Sequence, residues 1–125
     1  MTNKRVRFFV ALMIIAVLAF GGLQVATGQE ARPVRIGILG PQTGNFANYG
    51  RQMFEAITLA AEQHNYMAGN HPIELIFEDT RLDNEVAVSR ARKLDEQDNV
   101  DLIIGPVSGG EGLSVLNWAR ESGVP

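Results

Sequence analysis

The chain of 125 residues has no cysteine. That absence excludes a disulfide framework, a thiolate metal site, a cysteine nucleophile and a lipidated N-terminal cysteine. Histidine is scarce as well: only His64 and His71 are present. Two histidines without a cysteine do not make a zinc pattern, so no metal is expected. No complete G-x-G-x-x-G fingerprint follows a strand, since Gly37-x-x-Gly40 stops short of it. Gly-Pro-Val-Ser108-Gly is not the G-x-S-x-G nucleophile elbow, so the sequence offers no catalytic residue. Repeats, low-complexity tracts and linkers are missing too. No acid appears before Glu30.

That last absence belongs to a leader. Lys4, Arg5 and Arg7 precede an apolar run from Phe8 to Leu23, and Ala26-Thr27-Gly28 supplies small residues before Gln29. The pattern predicts a secretory signal peptide over residues 1–28, cleaved before Gln29, with an uncleaved anchor as the alternative. The remaining 29–125 carries eight basic against fourteen acidic side chains, a formal charge of −6. Such a balance argues against nucleic acid as a partner, which needs a basic face.

Val34 to Leu39 reads as a strand ended by Gly40-Pro41, and Pro41–Gly50 as a ten-residue turn region. From Arg51 to about Tyr66 the apolar period is helical, with Phe54, Ile57 and Ala61 beside Ala56, Leu59 and Ala60 on one broad face. Ile73–Glu78 is the second strand and Asp79–Asp83 a polar loop, with Asp83 as N-cap of a helix reaching about Asp98. Leu102–Gly105 is the third strand, and a third helix runs from Gly110 to about Ser122. The order βαβαβα predicts an α/β fold, a doubly wound parallel sheet with right-handed crossovers.

In the common doubly wound orders the first strand is central, so the loops after the first and third strands flank one crevice. Those loops are Pro41–Gly50 and Pro106–Gly112. The second is a small-residue turn leading into a helix N-terminus, which favours phosphates and carboxylates. Asp79 and Asp83 fall to one side and read as loop and cap residues rather than a paired-carboxylate site. His64, near the end of the first helix, and His71 lie at the opposite end of the sheet from Ser108.

The stretch Ile36-Gly37-Ile38-Leu39-Gly40-Pro41-Gln42-Thr43-Gly44, followed by Tyr49-Gly50, resembles the opening of branched-chain amino-acid ABC-transporter substrate-binding proteins. Ile73–Asp79, then Asp83, Ala87 and Ala91–Leu94, continue the resemblance, as does Val100–Ser108. It covers the chain from about Val34 to Pro125. The resemblance implies two α/β lobes that close on a ligand by hinge bending, with this chain supplying the first part of lobe 1 and stopping before its fourth strand. It also implies a non-catalytic, cofactor-free protein of the periplasm, not a lipoprotein, that passes a small amino-acid-like ligand to a membrane permease. Carried over residue by residue, the ligand-binding positions are Tyr49, Ser108, Gly109 and Gly110. The family's ligand-binding serine falls on Gly109, one place after Ser108, and Glu111 puts an acid inside the anion-favouring turn, which leaves an amide or another small polar metabolite open as the ligand beside an amino acid. A ligand-sensing receptor ectodomain shares this fold. A flavodoxin-like FMN domain is the rival of another class, on Thr43-Gly44-Asn45, but Pro41 and Phe46 stand where phosphate donors would be needed.

Overall fold

A computed structural model of the chain describes residues 31–125. The expected signal peptide and its cleavage before Gln29 lie outside the described residues. The elements are β1 (Val34–Gly40), α1 (Ala47–Gln63), β2 (Met67–Ala68), β3 (His71–Asp79), α2 (Asn84–Glu96), β4 (Leu102–Ile104) and α3 (Gly109–Ser122). They form a sheet in the order β2-β3-β1-β4. β1 is central and pairs in parallel with β3 on one side and β4 on the other, Gly37 standing opposite both Ile76 and Ile103. The central first strand, and the common edge at which β1 and β4 end, are as the α/β pattern predicts.

Several boundaries differ from the sequence expectation, each for a local reason. α1 begins at Ala47 rather than Arg51, so Asn48, Tyr49 and Gly50 are helical and the preceding loop is only Pro41–Phe46. Gly50 permits this: a β-carbon there would lie 1.9 Å from the Pro41 carbonyl oxygen, so a side chain would drive the helix off the loop. α1 stops at Gln63, because Asn65 and Tyr66 take positive φ (52° each) and turn the chain into β2. β2 pairs antiparallel with the start of β3, Met67 opposite Pro72 and Ala68 opposite His71. This hairpin around Gly69-Asn70 is invisible to an apolar-periodicity reading because two residues carry no period. β3 also reaches one residue further than expected and takes in Asp79.

Helices pack on both faces of the parallel strands. Gly37 and Leu39 face α2 and α3, a β-carbon on Gly37 being 2.8 Å from Leu94 Cδ1. That side holds the core: Leu39, Ala87, Ala91, Leu94, Val115 and Trp118 are all buried. Glu78 on the same face accepts from Arg90 (3.2 Å) and Lys93 (2.7 Å), which pins α2 to β3. On the other side Phe54 of α1 packs on Phe77 with ring centroids 4.8 Å apart. α1 covers that face only in part. Of its broad apolar face, Phe54, Ile57 and Ala61 are covered, whereas Ala56, Leu59 and Ala60 are exposed. An apolar groove of about 310 Å³ lies beside them, lined in part by Ile36, Ile57, Ala60, Leu75 and Ile104.

Candidate functional site

The site is built at the edge where β1 and β4 end. After β4, Gly105 takes φ +105°, a conformation open to glycine, and a β-carbon there would stand 2.2 Å from the Leu39 carbonyl oxygen. Its small size lets the β4 turn lie directly against the end of β1. The turn Pro106–Ser108 then delivers the N-terminus of α3.

Ser108 is the N-cap of α3, in extended conformation (φ −99°, ψ 148°). Its hydroxyl accepts from the Glu111 N–H (3.2 Å) and donates to Glu111 Oε2 (2.8 Å), which also accepts from the Ser108 N–H (3.3 Å). This is a complete capping box, and Ser-x-x-Glu is its sequence signature. The spacing was therefore legible, although in the sequence Glu111 counts only as an acid in the turn. A hydroxyl has one proton, and that of Ser108 is directed at Glu111. The N–H groups of Gly109 and Gly110 are the first two of the helix and have no acceptor within it. Both glycines are exposed. Glu111 is fully buried, and its Oε1 has no hydrogen-bond partner among the described residues.

The loop after β1 lies across the same edge, and the end of β3 holds it. Asp79 Oδ1 accepts from the Gln42 N–H (2.7 Å) and the Arg81 N–H (2.9 Å), and Oδ2 from the Thr43 hydroxyl (2.7 Å). Partial burial pushes the Asp79 carboxyl up, but the hydrogen bonds from Thr43, Gln42 and Arg81 together outweigh it and hold it below the ordinary carboxylate range. The loop after β3 lies on the side of β1 away from β4, as expected, but Asp79 is more than a loop residue: it clamps the β1–α1 loop, because parallel pairing brings Gly40 opposite Asp79. Asp83 is a cap as expected, its Oδ1 accepting from the N–H groups of Glu85 and Val86 (2.9 Å each).

Tyr49 stands in the first turn of α1, 60% exposed, with Phe46 at 6.1 Å between ring centroids. The N-terminus of α1 has no side-chain cap and no acid in its first turn, unlike that of α3. Ser108, Gly109 and Gly110 are contiguous at the start of α3, while Tyr49 stands in the first turn of α1. Among the described residues no cluster of His, Asp or Glu could hold a metal ion. The arrangement offers two unpaired N–H donors and an aromatic ring with a polar tip, which suit a small organic solute.

A family model described as periplasmic binding protein matches residues 33–125. Among curated relatives, a Leu/Ile/Val-binding protein homolog of Brucella abortus is 27% identical over 113 residues, which are 89% of this chain and 28% of the relative. A solved leucine-binding protein from Thermotoga maritima is 30% identical with a TM-score of 0.69, over 74% of this chain and 26% of that one. An ABC-transporter solute-binding protein from R. palustris, solved with benzoate, is 25% identical with a TM-score of 0.70, over 74% of this chain and 26% of that one. The chain therefore spans little more than a quarter of the length of the proteins it matches.

Proposed function

The chain belongs to the periplasmic binding protein family, and from that premise we propose that it forms one wall of the ligand cleft of an exported solute-binding protein. Members of this family are solute-binding proteins. The ligand is a small amino-acid-like solute, held between this wall and a second lobe and handed to the permease of an ABC transporter. Gly109 and Gly110 supply backbone donors, Ser108 sets the turn that presents them, and Tyr49 gives apolar contact from the first turn of α1. No group on this wall performs chemistry, and the mechanism is capture followed by lobe closure.

The observation that carries the reading is the uncapped pair of N–H groups at the start of α3, on the edge shared with the β1–α1 loop. A crevice outside the carboxyl ends of parallel strands is where such sheets bind ligands. The test is a thermal-melt screen of the protein expressed from its whole reading frame, against leucine, isoleucine, valine, benzoate and their amides. A ligand of the folded state raises the melting temperature by mass action. The expected result is a shift with one of these solutes that Tyr49→Ala abolishes. If none shifts it and the purified protein is yellow with bound flavin, the loop Thr43-Gly44-Asn45 is the site and the transport reading falls.

A further inference from the structure

We propose that the α3 turn receives the neutral carbonyl end of its solute, a carboxamide or similar group, rather than a carboxylate, and that Glu111 sets this preference. The inference rests on the solute-binding reading and names the chemical class that this site takes.

A helix N-terminus carries about half a unit of positive charge, which ordinarily welcomes an anion. In α3 an anion is already there. Glu111 folds back so that Oε2 takes the Ser108 N–H and the Ser108 hydroxyl proton, the groups that an incoming carboxylate would otherwise use. Glu111 is fully buried, so water screens its charge poorly. Oε1, with no partner among the described residues, leaves half of that carboxylate unneutralised within the same turn. A full negative charge therefore stands against the partial positive charge of the helix end. A second carboxylate on Gly109 and Gly110 would be a like-charge neighbour, and like charges at a shared site disfavour each other.

The two exposed glycine N–H groups remain free to donate to a solute. A carboxamide oxygen takes both without adding charge. Amide and carboxylate have nearly the same shape, so the sign of the field decides between them.

The experiment is an amide NMR titration of the ¹⁵N-labelled protein, expressed from its whole reading frame, with benzamide and with benzoate, two isosteric probes, in wild type and in Glu111→Gln. Glutamine keeps an acceptor for Ser108 and removes the charge. The expected result in wild type is that the Gly109 and Gly110 resonances titrate with benzamide at about three- to tenfold lower concentration than with benzoate, the size of one partly screened like-charge contact. In Glu111→Gln the preference narrows or reverses. If wild type titrates with benzoate more tightly than with benzamide, the amide inference is overturned and the solute-binding reading stands. If neither probe moves either glycine while the spectrum stays that of a folded chain, the α3 turn is not the binding wall and both fall. The wild-type comparison decides the point even where the variant does not fold.

Discussion

At Gly50 a β-carbon would sit 1.9 Å from the Pro41 carbonyl oxygen, a backbone atom that cannot move aside. Gly50→Ala is therefore expected to cost about 3 kcal/mol or more, read as the midpoint of urea unfolding followed by Trp118 fluorescence. Gly112, inside α3, is the control, because a β-carbon there meets nothing within 4 Å. Gly112→Ala should stabilise by about 0.5–1 kcal/mol through helix propensity alone. Asp79 makes a pH prediction. Its carboxyl is held below the ordinary 3.8, so it favours the folded state above that pH and loses this contribution as pH falls through its lower native value. The stability gap between wild type and Asp79→Ala should accordingly be constant from pH 7 to about 5 and shrink below 3.8. A gap that does not change with pH would mean that the Thr43 and Gln42 hydrogen bonds do not depend on the charge.

Two helices with different caps allow a comparison between elements. Asp83 caps α2 with a single oxygen from the surface, and Asp83→Ala should cost about 1 kcal/mol. Ser108→Ala removes the α3 cap and also takes the hydroxyl from a fully buried carboxylate. An unsatisfied buried acceptor adds about 1–3 kcal/mol, so Ser108→Ala should be clearly the more costly of the two in the same unfolding assay. Equal losses would show that Glu111 finds another donor. The seam between these helices is apolar: Ala87, Ala91 and Leu94 of α2 meet Val115 and Trp118 of α3. Leu94 also lies under the sheet at Gly37, so Leu94→Ala opens a cavity on three elements and should cost about 2–5 kcal/mol.

Across the whole molecule the two faces of the sheet are unequal. The α2–α3 side is a closed core, whereas on the α1 side Leu59 is 54% and Ile104 37% exposed. The edge of β4 is not bare along its length: the Ile103 N–H donates to the Pro125 carbonyl (2.9 Å), and Val124 packs against the core containing Trp118. The segment after Gly123, which leaves the helix through an αL cap, thus lies along β4 as an adjoining strand would. Removing Gly123–Pro125 deletes that bond and packing, and should lower the melting temperature by several degrees, with loss of Trp118 burial seen as a red shift of its emission. An unchanged melt would mean that the β4 edge is stabilised without this segment.

Much of this fold was legible in the order of residues. The three parallel strands, their helices, the Asp83 cap and the adjacency of the first and last of these strands follow from apolar periodicity and from the handedness of βαβ crossovers, which are local and chiral properties of the chain. Ser108, Gly109 and Gly110 were legible as a turn, since small residues after a buried strand have few other uses. Only the tertiary structure decided what each side chain does there. Pairing of β1 with β3 set Asp79 beside Gln42 and Thr43, thirty-six and more positions away, and made a clamp of a loop residue. The Ser-x-x-Glu spacing directs Glu111 onto the helix's own cap, but its complete burial is a property of the folded chain. Sequence settles which elements form because their causes lie within a few residues. The charge that the α3 turn presents depends on what packing excludes from water, and that is a property of the assembled fold.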